Sequence, residues 1–168
     1  MPTELTRPET APPSVPSQLL PDHVFAQIIA HAPLIAIDLI VEDSERRMLL
    51  GWRKNPPAQA CWFVPGGRVR KDETLDTAFA RITEAELGQA FERNQSIFVG
   101  IYQHFYPDNF RGEQGASTHY LALAHRIWSG TKKLNLPSSQ HAQYRWAYRD
   151  HIATDPQVHA YSRAYFTS

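Results

Sequence analysis

The sequence has a single cysteine, no long hydrophobic run and no excess of charge of either sign. With only Cys61 present, no disulfide can form within the chain, and we expect a buried, unreactive thiol in a reducing cytoplasm. The longest apolar run, residues 33–41, is far too short to span a membrane, and residues 1–21 lack the apolar centre of a signal peptide. The 17 basic side chains equal the 17 acidic ones, so we expect no nucleic-acid or membrane partner.

Proline is concentrated at one end of the sequence, where it blocks regular hydrogen bonding. We therefore predict a flexible, proline-rich tail over residues 1–21 and one domain over residues 22–168. Helices are predicted at about 22–30 (capped by Asp22), 74–87 and 157–166, and strands at about 34–42, 47–53, 61–64, 96–106, 117–128 and 143–148. This order predicts an α/β sandwich with helices on both faces of a mixed sheet.

Two carboxylates lie among apolar residues. One narrow stripe of the helix at 74–87 contains Leu75, Phe79, Ile82 and Glu86, at a spacing of about 100° per residue. Asp38 lies in an otherwise apolar strand. A buried ionised carboxylate is costly unless it is paired or bound to a metal. We therefore expect Asp38 to be paired or functional. Either Glu86 faces a cation beside the glycine loop at 66–67, or the helix frays before it.

Residues 66–88 resemble the Nudix box. Gly67, Glu73, Arg81, Glu86 and Gly88 match its pattern in register, whereas Ile82 and Ala85 stand where the general box has metal-binding glutamates. This altered box is typical of one branch, the GDP-mannose mannosyl hydrolases. Further segments resemble that branch, at 33–38, 49–53, 62–69, 103–106, 118–120, 140–141 and 162–166. The resemblance covers roughly residues 22–168 and implies the Nudix fold, an α/β/α sandwich with a mixed sheet.

The resemblance implies one Mg²⁺ per subunit, with Mn²⁺ as an acceptable substitute. Its ligands would be the main-chain carbonyl of Gly66, the carboxylate of Glu86 and the amide oxygen of Gln140, all hard oxygen donors. The alternative for Glu86 is a structural carboxylate paired with Arg81, and that for Gln140 is an ordinary solvated side chain. In Nudix proteins the pair at Glu73 and Arg81 joins the loop to the helix.

The same resemblance assigns the substrate contacts and the catalytic groups. His141 corresponds to the general base, since a neutral imidazole accepts a proton from water. Arg53 and Arg68 correspond to the arginines that bind the diphosphate, and Arg68 also belongs to the catalytic group with Asp38. Asp38, His104 and Tyr120 line the substrate site, although Asp38 could instead pair with a core arginine and Tyr120 could simply pack.

With two box glutamates replaced, the helix is poorly suited to activating water against phosphorus. The implied reaction is hydrolysis of GDP-mannose, with GDP-glucose as a second candidate, by attack of water on the anomeric carbon. GDP and free hexose, of inverted configuration, would be released. The alternatives are a conventional Nudix pyrophosphatase acting on a nucleotide sugar and a catalytically silent nucleotide-sugar-binding protein. A homodimer is expected from the family.

Overall fold

The computed structural model describes residues 20–57, 59–111, 116–131, 133–137 and 141–167, with the backbone alone at His141 and Ala142. Apart from its last two residues, the predicted tail lies outside this part of the chain, so the division at residue 21 stays a prediction. Within the described residues, no helix is long and apolar enough to cross a membrane.

Four α-helices and seven strands form the described domain, in an order close to that predicted. The helices are α1 (Asp22–His31), α2 (Leu75–Leu87), α3 (Arg149–Thr154) and α4 (Ala160–Ala164), and the strands are β1 (Leu34–Asp43), β2 (Arg47–Arg53), β3 (Trp62–Phe63), β4 (Gly66–Arg68), β5 (Ile97–Tyr106), β6 (Thr118–Gly130) and β7 (His141–Tyr148). A short 3-10 helix, Arg93–Gln95, precedes β5.

The seven strands form one mixed sheet in the order β3-β2-β1-β6-β5, with β4 paired to β1 and β7 to β2. β1 and β6 run parallel, from the pair Leu34 and Tyr120 to the pair Asp43 and Gly130. All other strand pairs are antiparallel. A central strand with neighbours on both sides is buried on both faces. This burial explains why β1 is apolar in sequence apart from its acidic residues.

Helices cover both faces of the sheet, so the predicted sandwich is confirmed. The box-side core packs α2 on β1 and includes Ile37, Leu39, Val41, Phe79 and Ile82. The C-terminal-side core lies on the other face and includes Ile40, Leu50, Phe63, Ile152, Val158, Tyr165 and Phe166. Because successive residues of a strand point to opposite faces, β1 supplies Ile37 and Leu39 to one core and Ile40 to the other. Asp38 therefore faces the C-terminal side.

The termini of α2 follow from its sequence. Thr74 caps the first turn by accepting a hydrogen bond from the backbone N–H of Thr77 at 3.1 Å. Gly88 ends the helix in the left-handed conformation, with φ of 70°, and its N–H donates to the carbonyl of Glu84. No side chain fits at Gly88, because a Cβ would lie 2.0 Å from the carbonyl oxygen of Asn135.

Three predicted elements differ in the structure. The helix predicted at 157–166 is the shorter α4, because the backbones of Gln157 and His159 bond that of Trp62 in β3, and the helix α3 was not predicted. Asp22 lies in the first turn of α1 and does not cap it, since Pro21 holds the N-cap position. The predicted glycine loop forms the short strand β4, whose geometry is fixed by pairing with β1.

Candidate active site

The loop before α2 is fixed to the helix by one ion pair. Arg81 binds Glu73 through Nε at 2.5 Å and through Nη2 at 2.8 Å, and Nη2 also donates to the carbonyl of Arg68 at 2.9 Å. These hydrogen bonds hold the pKa of Glu73 below its usual range. Arg81 thus pairs with Glu73 and joins the loop to the helix, as predicted.

The helix α2, called the box helix because it lies in the Nudix-like segment 66–88, has both buried and exposed residues in its second half. Ile82 and Glu86 are both buried, whereas Glu84 and Ala85 are exposed. Ile82 belongs to the box-side core and packs against Gly67, where an added Cβ would lie 3.1 Å from Ile82 Cγ1. A glutamate at position 82 would place a charge in that core. Of the altered box positions, neither Ile82 nor Ala85 can supply a metal ligand from its side chain.

β4 runs beside β1 so closely that Gly66 has no room for a side chain. Gly66 is paired with Asp38, and a Cβ on Gly66 would lie 2.6 Å from the carbonyl oxygen of Ile37 and 2.9 Å from Asp38 Oδ1. The pairing therefore brings one oxygen of the Asp38 carboxylate against the glycine backbone. Gly66 and Asp38, both predicted from the sequence as site residues, therefore lie side by side where β4 pairs with β1.

A pocket of about 140 Å³ opens beside Gly66 and Asp38. Every predicted site residue whose side chain or glycine backbone is described lines it: Asp38, Arg53, Gly66, Arg68, Glu86, His104 and Tyr120. The other lining residues are Ala36, Asn55, Pro57, Phe63, Val64, Gly67 and Tyr106. Gln140 and the side chain of His141 lie outside the described residues. The backbone of His141 begins β7 and is paired with that of Arg53.

Asp38 is held by a hydrogen bond from the C-terminal segment, residues 160–167. The hydroxyl of Tyr165 donates to Asp38 Oδ2 at 2.6 Å and lies 3.3 Å from Nε2 of His104. Burial raises the pKa of Asp38 to about 6, although the Tyr165 hydrogen bond and the charge of Arg53 act against the rise. Burial and the nearby His159 lower the pKa of His104 to about 4, so this imidazole is neutral near pH 7.

The two pocket arginines lack a close carboxylate partner among the described residues. Within that part of the chain, neither Arg53 nor Arg68 forms an ion pair. The Arg68 guanidinium lies 3.7 Å from the ring centre of Phe25, and burial lowers its pKa, with Arg70 and Arg81 adding repulsion. A half-buried guanidinium among other cations is a favourable site for an anion such as a diphosphate.

Sequence reasoning missed the aromatic residues that support this pocket. Tyr106 lines the pocket, and Tyr165 contacts Asp38 directly. Tyr161 stacks on His104 with ring centres 4.2 Å apart and exchanges two hydrogen bonds with the backbone of Phe105 in β5. The sequence signal for Tyr165 was the segment at 162–166, which matched the family without an assigned role, whereas Tyr161 lies just outside that segment.

Comparison with known proteins settles the family. The NUDIX domain model matches residues 32–167, most of the chain and all of the pocket. The chain belongs to the Nudix family. Its sequence is 36% identical over 146 residues to the low-salt glycan biosynthesis protein Agl8 of Haloferax volcanii, covering 87% of this chain and 90% of that protein.

Solved structures of Nudix proteins share the fold. The MutT protein of Methanosarcina mazei superposes with a TM-score of 0.65 at 21% identity, covering 81% of this chain and 92% of that one. The MutT Nudix hydrolase of Burkholderia pseudomallei gives a TM-score of 0.64 at 24% identity, covering 82% and 100%. This Nudix protein therefore has the helix-sheet-helix arrangement of the family, and its helix α2 departs from the general Nudix box at Ile82 and Ala85.

Nudix hydrolases generally use divalent metals, and the donor chemistry of this pocket fits a hard cation. Glu86 and Gly66 line the same pocket and provide a carboxylate and a main-chain carbonyl, the oxygen donors that Mg²⁺ prefers. Among the described residues, no group of three or more His, Cys, Asp or Glu side chains could hold a metal. A metal at Glu86 would thus depend on backbone, amide, water or substrate oxygens for the rest of its shell.

Proposed function

We propose that this Nudix hydrolase cleaves GDP-mannose, or a closely related GDP-hexose, into GDP and free hexose by attack of water at the anomeric carbon. The observation that carries the proposal is the composition of the pocket. Glu86 is its only described carboxylate from the box helix, because Ile82 is packed into the core, while Asp38 and His104 face it from the sheet. Such a helix is poor in the carboxylates that would activate water beside phosphorus.

The arginines support a diphosphate-linked substrate. Arg53 and Arg68 both line the pocket, and the described residues leave their charge without an ion pair. Planar guanidinium groups bind phosphate oxygens through two hydrogen bonds at once and stay charged at neutral pH. In the reaction they neutralise the charge that develops on the departing diphosphate, so no strong general acid is needed there.

The sheet side of the pocket receives the sugar in this proposal. Asp38 accepts a hydrogen bond from a hexose hydroxyl, and His104 and Tyr120 complete the sugar-facing wall. His141 is the general base, since its backbone pairs with that of Arg53 at the edge of the pocket. Positioned general bases contribute about 10² to 10⁴-fold to the rate.

Mg²⁺ is the proposed cofactor, held by Glu86, the Gly66 carbonyl and Gln140. When bound, it supplies charge neutralisation for the diphosphate leaving group. Mn²⁺ has the same preference for oxygen donors and would substitute. The glycan-related name of the relative Agl8 supports a sugar-containing substrate. A compartment such as the cytoplasm suits the half-buried thiol of Cys61, whose pKa is raised by burial.

The partner in solution is proposed to be a second copy of the chain. Among the described strands, β5 lies at an edge and pairs only with β6, and its ten residues include no proline and no charged side chain. Ile97, Ile101 and Phe105 are each more than half exposed. The Phe105 backbone is covered by Tyr161, but the exposed apolar side chains of β5 are a ready surface for association. A symmetric pair would bury it against itself without any new complementary surface.

The bond that is cut decides between the proposal and its alternatives. Purified protein with Mg²⁺ would be incubated with a panel of nucleotide sugars in ¹⁸O-labelled water. We expect GDP and labelled hexose, with no label in the phosphate. Label in a nucleoside monophosphate or sugar phosphate would establish the conventional pyrophosphatase reaction, and binding without any product would establish a silent binding protein.

A further inference from the structure

The residue that orients Asp38 lies far from it in sequence and outside the pocket lining. Tyr165, directly after α4, gives its hydroxyl proton to Asp38 Oδ2 at 2.6 Å. Both residues are buried, at 5% and 7% exposure, so water does not compete for this hydrogen bond. With Oδ2 held, the other oxygen, Oδ1, lies against Gly66, and both residues line the pocket.

The same hydroxyl also lies within hydrogen-bond distance of His104, whose imidazole is neutral because it is buried. A phenol has one hydrogen, and in this arrangement it goes to Asp38, so the 3.3 Å contact with His104 Nε2 requires the imidazole to donate. His104 is then a neutral ring with its hydrogen on Nε2. Burial and the neighbouring Asp38 carboxylate raise the pKa of Tyr165, which keeps the phenol protonated at all physiological pH values.

We infer that Tyr165 is a positioning residue, which holds Asp38 and His104 in one hydrogen-bonded chain and directs Asp38 Oδ1 to the substrate. Its ring packs edge-on against Tyr102 with centres 4.7 Å apart, so the phenol has a fixed position of its own. The C-terminal segment thereby controls a group on the central strand β1. The role of Asp38 at the substrate rests on the proposed function, whereas its orientation by Tyr165 does not.

The chain offers a matched pair of hydroxyl deletions. Tyr165→Phe removes the donor to Asp38 and keeps the ring packing. Tyr161→Phe removes a hydroxyl from the same segment, one that bonds the Phe105 backbone on β5. We expect Tyr165→Phe to lower kcat about 10- to 100-fold with KM changed less than about threefold, because small misplacements of a reacting group are costly. Tyr161→Phe should stay within about twofold of the parent in both constants.

Two further measurements separate positioning from general stability. In an Asp38→Asn background, adding Tyr165→Phe should have little further effect on kcat, since both changes act through one carboxylate. Crystal structures of the two tyrosine variants should show Asp38 turned away from Gly66 in Tyr165→Phe and unmoved in Tyr161→Phe. An unmoved Asp38 in Tyr165→Phe overturns the inference whatever reaction the protein catalyses. Loss of kcat equal in both variants, or additive with Asp38→Asn, also overturns it. Failure of the parent to release GDP from GDP-mannose would instead count against the proposed function.

Discussion

Adding one methyl group at Gly66 should be far more damaging than adding it at the adjacent Gly67. Neither glycine has the positive φ that only glycine tolerates well, so the difference is steric. At Gly66 the new Cβ would meet the Ile37 carbonyl oxygen at 2.6 Å and Asp38 Oδ1 at 2.9 Å. At Gly67 it would meet Ile82 Cγ1 at 3.1 Å. Backbone in a central strand cannot withdraw, whereas an isoleucine side chain can shift by a few tenths of an ångström.

The expected magnitudes follow from these contacts. Overpacking that forces backbone shifts costs about 1 to 3 kcal/mol, and occasionally more, so Gly66→Ala should lose about 3 kcal/mol of unfolding free energy. For Gly67→Ala we expect a cost of about 1 kcal/mol, offset by about 0.4 to 1 kcal/mol from the stiffer unfolded chain. At about 2 to 4 °C per kcal/mol for a domain of this size, Tm should fall by about 6 to 12 °C in the first variant and by less than about 4 °C in the second.

Thermal and urea unfolding followed by circular dichroism would measure both variants beside the parent protein. Steady-state hydrolysis at a temperature where all three are folded would then report on the site. We expect Gly66→Ala to lose at least about tenfold in kcat/KM, because its Cβ displaces the Asp38 carboxylate. Equal stability losses in the two variants, or a fully active Gly66→Ala, would refute the argument that the pairing of β4 with β1 leaves no room for a side chain at Gly66.

Three other substitutions test the proposed assignments. Glu86→Gln should abolish Mg²⁺ binding and nearly all activity while the fold survives, and Glu84→Gln, at an exposed position, is its control. Isothermal titration calorimetry with Mg²⁺ measures the metal affinity of both variants. Parental affinity in Glu86→Gln would mean that Glu86 is a structural carboxylate. His141→Gln should slow single-turnover hydrolysis by about 10² to 10⁴-fold without loss of metal binding. The control is His151→Gln, at an exposed position, which should keep the parental rate. An unchanged rate in His141→Gln would make His104 or Asp38 the candidate base. Ile101→Lys should give a monomer by sedimentation velocity. Trp128→Lys should not, because Trp128 is an exposed residue of β6 outside the part that pairs with β5. A dimer that persists in Ile101→Lys would place the interface elsewhere.

Local sequence patterns predicted most of the fold because its elements carry their own signals. The stripe that includes Phe79 and Ile82 predicted the buried face of α2, and Gly88 ends the helix as predicted, whereas Thr74 is its N-cap and not its first residue. The helix α3 was missed because it has six residues, of which only Ile152 is buried. β4 was missed as a strand because two of its three residues are glycine, and only the pairing with β1 makes it extended.

The candidate site was predictable where the family pattern names residues, and not where one residue supports another. Asp38 stood out in sequence as a carboxylate in an apolar strand. Its partner did not, since a tyrosine near a helix end gives no sign of what its hydroxyl contacts. The neutral state of His104 was also unreadable, because it results from burial in a cluster that forms only in the folded chain.

The bond between Asp38 and Tyr165 joins positions 127 residues apart, and this separation bears on how the protein becomes active. Domains rich in contacts between distant residues fold slowly, because the chain must close long loops before those contacts form. During synthesis the Nudix box emerges long before Tyr165, so α2 and its loop can be assembled around a site whose carboxylate is not yet oriented. Orientation of the Asp38 carboxylate would thus require the segment around Tyr165 to dock on the sheet.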